Sequence, residues 1–425
     1  MTRSDHLLST RESARPDDAA EPGELNAIDL VGGVFAEGTG GVRDVPHEKV
    51  LLCQDEATGL KAIVSLHSTA LGPALGGTRF RHYGTAADAV LDSLNLARGM
   101  SYKNALAGLP YGGGKAVIIG DPSVRKTRGL LRAYGRFVES LGGRYVTSCD
   151  MGTNSADMDI VGEVTCHVVG CSVKHGGGGD PSALTAYGVL QGMRACAAVR
   201  WGVPVLRGRR VGVSGVGKVG QHLVDLLVYE GAIVVAADPR PSALARTRAR
   251  HPEVSTTTPP ALLHAELDIF APCALGGVLD QVAVNRLRTD IICGAANNQL
   301  GYGGAEERLR RRDIVYAPDY VVNAGGVIHM AQEHAGTSGE FCAVHARKQV
   351  MGIYDTTLSI LTKAESTGAT PCAVADELAE QRMASASHAS AGPRVADAAD
   401  EPAGPRTAAA PDDASRMPAT DQRNR

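Results

Sequence analysis

The chain has 425 residues, with 43 Lys and Arg against 46 Asp and Glu and a formal net charge of -3 at pH 7. That length allows two domains, the lack of a basic excess argues against a nucleic-acid or membrane-surface partner, and no apolar run reaches the roughly 18 residues of a membrane span. Nine cysteines are scattered with no CxxC and no Cys/His set at zinc spacing, so the chain reads as a cytoplasmic protein with reduced thiols and no metal site.

Residues 1–45 lack sustained periodicity and the apolar region of a secretion signal, and are predicted to be a disordered tail. Folded structure is predicted to begin near His47, with strands at residues 50–53 and 60–67. The stretch LGPALGGTRF at 71–80 is rich in glycine and is predicted to be a loop whose backbone can approach a ligand. A helix over 86–98 then leads into RGMSYKNALAGLPYGGGKAVIIGD. Here Lys103 and Lys115 lie twelve residues apart with little other charge around them. Lys103 falls near a helix end. Lys115 follows three glycines and precedes a buried-strand run at 116–119. Burial there would lower the pKa of the lysine and make it a base near neutral pH. A lysine that only snorkels to the surface is the alternative.

A helix over 128–141 is stopped by Gly142-Gly143. A strand over 144–147 delivers Ser148-Cys149-Asp150, and a helix over 156–164 follows, capped by Asn154 or Ser155. Asp150 therefore falls between a strand end and a helix, where catalytic carboxylates occur in α/β layers. Aspartates that only shape a turn occur there too. Four glycines at 176–179 read as the link between domains, and a helix is predicted over 182–200.

The second half carries a strand at 210–214 followed at once by Gly215-Val216-Gly217-Lys218-Val219-Gly220, a helix over 221–230, and a strand over 232–237 ending in Asp238. Asp238 comes 18 residues after Gly220. Strand, glycine turn, helix, strand and acid together are the dinucleotide fingerprint in its required context. The glycines admit a pyrophosphate to the helix N-terminus. Asp238 would accept hydrogen bonds from the adenosine ribose and repel an added phosphate, which favours NAD over NADP, with Arg240 two residues on as a counterweight. Short strands at 267–270, 291–293 and 314–316 are followed by the loops APCALGG, GAANNQ and APDYVVNAGG. These should gather at the carboxyl ends of the strands, where Asn297, Asn298 and Asn323 can hydrogen-bond near the nicotinamide or merely form turns. Gly325-Gly326 is predicted to turn the chain back. Helices over 344–363 and 371–383 close the folded part, and 384–425 is predicted to be a second disordered tail.

These residues resemble the glutamate/leucine/phenylalanine/valine dehydrogenase family over 50–383, and its smaller branched-chain members most. The motifs are PALGGTR, ARGMSYKNALAGL, GGGKAVI, GTNSADMDI, APCALGG and NAGGVI. The resemblance implies an α/β fold of two domains: a substrate-binding and oligomerisation domain at 46–180 and a Rossmann NAD-binding domain at 181–335, with helices at 336–383 packing back between them. It implies Lys115 as the base that activates water, Lys103 as the ligand of the substrate α-carboxylate, and Asp150 as the group handling the amino group and protons. Gly76, Gly77, Met100 and Ser148 match substrate-side positions, and Asn297 is expected beside them. Thr185 matches a cofactor position, and the fingerprint, Asp238 and Asn323 are expected to complete that site. Ser148-Cys149 stands where branched-chain members more often have Ala-Glu. The implied activity is NAD-dependent oxidative deamination of an apolar L-amino acid, valine or leucine first and an aromatic one second, by a dimer or octamer. A non-catalytic NAD-binding homologue is the competing reading.

Overall fold

The structure is a computed structural model that describes residues 46–335 and 341–390. Two sheets organise it. The first contains β1 (Lys49–Asp55), β2 (Leu60–Ser68), β3 (Ala74–Arg81), β4 (Gly112–Ile119) and β5 (Tyr145–Cys149), in the order β1-β2-β4-β3-β5. β1 and β2 pair antiparallel, as do β2 and β4, while β3 runs parallel to both β4 and β5. The second contains β6 (Arg210–Ser214), β7 (Ile233–Ala237), β8 (Ser255–Thr257), β9 (Ile269–Pro272), β10 (Ile291–Ile292) and β11 (Val315–Tyr316). Its order is β11-β10-β9-β6-β7-β8, and every pair is parallel. The order reverses between β6 and β9, the switch point where doubly wound sheets open a crevice.

Among the helices packed on the sheets are α1 (Ala86–Leu106), α2 (Arg128–Glu139), α3 (Ser155–Val161), α4 (Ser182–Trp201), α5 (Lys218–Tyr229), α6 (Gly325–Ala335), α7 (Ala343–Thr367) and α8 (Pro371–Ser390). α1 starts at a capping box in which Thr85 and Asp88 exchange hydrogen bonds, which satisfies two otherwise orphaned amides. Asn154 caps α3 in the same way with Asp157. One apolar core lies beneath β2 to β5 against α2 and α3, around Phe80, Tyr134, Tyr145 and Met158. The larger core surrounds β6 and α4 and takes in Val350 and Ile353 of α7. α8 packs on α1 through Ala379 and Met383 against Tyr102 and Ala105, so the last helices touch both halves.

Several sequence expectations change. The stretch 71–80 is not a loop: from Ala74 it is β3, in the interior of the first sheet. A Cβ at Gly76 would lie 1.8 Å from the Gly114 carbonyl oxygen, and one at Gly77 would lie 2.9 Å from both Asp150 Cβ and the Cys149 carbonyl oxygen. Crowding of neighbouring backbone, not a turn, demands these glycines. The three glycines before Lys115 likewise belong to β4. A Cβ at Gly113 would fall 2.0 Å from the Ser101 amide nitrogen of α1. Gly325-Gly326 opens α6 instead of turning the chain; a Cβ at Gly325 would meet the Leu184 carbonyl oxygen at 2.1 Å. α8 continues through residue 390, so the C-terminal tail cannot begin at 384. The tail predicted at 1–45 and the rest of that at 384–425 lie outside the described residues.

Candidate active site

Close packing of α1 on β4 builds the site. Gly113 lets the helix lie against the strand, and the Asn104 side chain fixes it by donating to the Gly112 and Leu75 carbonyls at 2.6 and 3.3 Å. Lys103, in the last turn of α1, and Lys115, in β4, thereby face one cavity of about 440 Å³. Such a volume suits a small-molecule ligand. Asp150 joins them from the end of β5. Met100 and Asn297 also line the cavity, the latter from the loop after β10 in the second half. Asn298 lines it as well, so six residues named from the sequence meet in one cleft between the two sheets.

Lys115 Nζ stands 2.6 Å from Asp150 Oδ2, and the side chain of the lysine is only 7% exposed. Arg79 Nε lies 3.4 Å from the same oxygen. Burial would raise the Asp150 pKa, but Lys115 and then Arg79 outweigh it and hold the carboxyl at about 2. Arg79 is itself oriented by Asp92, whose two oxygens it reaches at 3.0 Å. Asp92 also accepts from the Tyr83 hydroxyl at 2.6 Å. Lys103 Nζ donates to Asn297 Oδ1 at 3.2 Å, and Asn323 Nδ2 donates to the same oxygen at 2.8 Å. Burial lowers the Lys103 pKa to about 8; Asp319 pulls it up, Lys115 pushes it down and Asp150 pulls it up. In the structure Lys115 is ion-paired with Asp150, and burial lowers the pKa of Lys103. Asp319, 7% exposed, has its carboxyl raised by burial, partly countered by the hydrogen bond it accepts from the Gln299 amide.

Gly76, Gly77 and Ser148 do not line the cavity. The glycines lie in β3 and Ser148, 2% exposed, lies in β5 opposite Gly77. Arg79, Asp92 and Asp319 line it and were not singled out from the sequence. Arg79 was hidden inside the supposed loop, two positions after the glycine pair. Asp319 was quoted within APDYVVNAGG, but nothing local distinguishes it from a helix-starting aspartate.

The glycine turn after β6 lies at the switch point of the second sheet. Gly215 has φ +105°, and a Cβ at Gly220 would lie 1.9 Å from the Gly215 carbonyl oxygen. These two glycines build the turn. At Gly217 a Cβ would meet only the tip of Arg240, at 3.9 Å, so that face is open to a ligand. Gly217 caps α5 without a side-chain bond, which leaves the first amides of the helix for an anion. Asp238 is buried and accepts from the Val216 amide at 3.0 Å and from Arg240. Burial raises its pKa, but these bonds outweigh that and keep the carboxyl ionised. Lys218 is exposed and pairs with Asp180 at 3.2 Å; Val219 packs on the core. Thr185 donates to the Pro181 carbonyl at 3.0 Å and lies against Gly326. The site fits a dinucleotide: an open glycine, free helix amides and an anchored acid at the end of the next strand.

Two lysines and a carboxylate around one cavity, with a dinucleotide-type turn in the same chain, suit hydride removal from an amine-bearing carbon. Fold and site together define an amino acid dehydrogenase. Residues 47–166 match the Glu/Leu/Phe/Val dehydrogenase dimerisation domain, and residues 239–391 match the glutamate/leucine/phenylalanine/valine dehydrogenase domain. Valine dehydrogenase of Streptomyces virginiae is 57% identical over 342 residues, covering 80% of this chain and 94% of that protein. Leucine dehydrogenase of Geobacillus stearothermophilus is 44% identical over 337 residues, covering 79% and 90%. The crystal structure of L-tryptophan dehydrogenase from Nostoc punctiforme superimposes with a TM-score of 0.72 at 39% identity, covering 80% of this chain and 97% of that one. The chain belongs to the glutamate/leucine/phenylalanine/valine dehydrogenase family, an oxidoreductase family acting on CH–NH2 groups with a nicotinamide cofactor. Among the described residues no helix is long and apolar enough to cross a membrane.

Proposed function

We propose that this chain oxidatively deaminates a branched-chain L-amino acid, valine or leucine, to the 2-oxo acid and ammonia with NAD, and runs the reverse reductive amination. The observation that carries the reading is the convergence of Lys103, Lys115 and Asp150 on one cavity. Lys103 pairs with the substrate carboxylate; Asn297 holds its ammonium in place from the other side of the cleft. Met100 packs on the side chain of the substrate. Gly76 and Gly77 shape the floor of the site by letting β3 approach Gly114 and Asp150, and Ser148 stands behind them.

A nicotinamide held at this cleft would supply the acceptor for the hydride that leaves the α-carbon. Asp150 takes a proton from the substrate ammonium, and Lys115, after releasing its own proton to solvent, draws a proton from the water that adds to the iminium carbon. Asp150 then protonates the departing amine while the hydroxyl proton of the water adduct leaves to solvent, which gives the 2-oxo acid and ammonia. The short Lys115–Asp150 contact gives the two groups a direct route for proton exchange. Gly215, Val216, Gly217, Lys218, Val219 and Gly220 hold the pyrophosphate, Asp238 the adenosine ribose, and Thr185 and Asn323 the nicotinamide side. Asp238 sets the preference for NAD over NADP. The exposed edge strand β1, with Leu52 72% exposed, supports a homo-oligomer joined through this sheet. Nine free cysteines suit the cytoplasm.

The test is NADH formation across a panel of L-amino acids, with NAD against NADP. Turnover on valine or leucine with NAD is the expected result. Turnover on aromatic substrates alone would overturn the branched-chain assignment, and NAD binding without turnover on any amino acid would overturn the enzyme reading.

A further inference from the structure

Away from the cleft, three residues of different chemistry meet at the end of the first sheet. Glu139 closes α2, while Cys166 and His167 lie in the segment after α3. Their ligand atoms all lie within 4.8 Å of one another. His167 Nε2 is 3.9 Å from Glu139 Oε2, and Cys166 Sγ is 3.8 and 4.0 Å from the two nitrogens of the ring. The surroundings hold this group in place. Thr165, 6% exposed, donates to Glu139 Oε2 at 2.6 Å and accepts from the His167 amide at 3.1 Å. Gly143, at φ +78°, leaves room for the imidazole: a Cβ there would lie 3.0 Å from His167 Cε1.

We propose that Glu139, Cys166 and His167 form a binding site for a thiophilic divalent cation, Zn2+ foremost, with its fourth position open to solvent. Thiolate plus imidazole plus carboxylate is a borderline-soft donor set that selects zinc over magnesium or calcium. Tetrahedral zinc with bonds of about 2.0–2.3 Å places its ligands about 3.5 Å apart, so the observed spacing must tighten by at most about 1.3 Å. Glu139 and Cys166 are at the surface and have the torsional freedom to do this. Binding displaces the Cys166 thiol proton. The site is tied to β5, since the Thr147 amide donates to the His167 carbonyl at 3.0 Å and Val169 returns a bond to Thr147 at 2.8 Å. The ion would clamp residues 165–169 to the end of α2 and brace the strand that carries Asp150. The sequence concealed the set because Glu139 belongs to another helix.

The experiment is titration of the chelator-treated full chain with Co2+ as a spectroscopic probe, then with Zn2+ by calorimetry. One ion per chain is expected, with a thiolate-to-cobalt charge-transfer band that disappears in Cys166→Ser. Glu139→Gln and His167→Ala should each weaken binding at least tenfold, and Thr165→Val by about tenfold through the outer shell. Cys342→Ser, which alters another exposed cysteine, should leave binding unchanged. Absence of stoichiometric binding, or binding that survives both Cys166→Ser and His167→Ala, would overturn the proposal.

Discussion

Replacing Asp150 with asparagine probes how the charge balance of the site is built. Holding this carboxyl at about 2 instead of its ordinary 3.8 corresponds to about 2.5 kcal/mol at ~1.36 kcal/mol per pH unit. The variant loses that interaction and leaves Lys115, 7% exposed, without its partner at 2.6 Å. A stranded buried charge costs about 3–5 kcal/mol, so Asp150→Asn should destabilise the chain by about 3 kcal/mol. Lys115→Met should cost less, because Asp150 keeps Arg79 at 3.4 Å. The double variant should cost less than the two single costs added, with a coupling of about 1–3 kcal/mol. Urea unfolding followed by circular dichroism reads the stabilities, and both single variants should lose at least about 100-fold in kcat. The native pKa is depressed, so the stability contributed by Asp150 is complete above pH 3.8 and is lost as pH falls toward 2. An Asp150→Asn protein as stable as the parent, or a Lys115→Met protein less stable than Asp150→Asn, would refute this account of the pair.

Three further outcomes follow from the same geometry. Burial lowers the Lys103 pKa to about 8, and the carboxylate contact proposed for it requires the charged form, so its contribution to kcat/KM for the amino acid should fade as pH rises through that value; in Lys103→Met this component of the pH profile should vanish, and its persistence would assign it to another group. Gly76→Ala forces a Cβ to within 1.8 Å of a backbone oxygen and should cost at least about 3 kcal/mol, read as lost soluble expression or a lowered thermal midpoint; an alanine variant of parental stability would contradict the packing described. Gly217→Ala should fold normally, because its Cβ meets only the Arg240 tip, yet raise KM for the dinucleotide roughly tenfold, which is about 1.4 kcal/mol; Gly220→Ala, whose Cβ falls 1.9 Å from the Gly215 carbonyl oxygen, should lose stability instead, and equal behaviour of the two in both assays would count against the separation of their roles.

Sequence and tertiary structure contributed different parts of this picture. The dinucleotide turn was legible because it is local: a strand, three spaced glycines, a helix and an acid lie within one stretch of chain, and their order specifies their geometry. Lys103, Lys115 and Asp150 were legible as residues because their flanking motifs are specific. Their mutual arrangement was not, since it depends on α1 lying on β4 and on β3 running between β4 and β5. The glycine stretches at 76–77 and 112–114 misled a local reading for that reason. Glycine normally marks a turn, but at 76, 77, 112 and 113 it marks places where another backbone comes too close for a Cβ. The charge states were decided in three dimensions as well. Lys115 ended beside Asp150 and Lys103 ended desolvated near Asp319, and no spacing along the chain encodes which lysine meets the carboxylate. Local order along the chain determined the elements and the cofactor turn, whereas contacts between distant segments, which sequence separation does not reveal, decided the chemistry of the cleft.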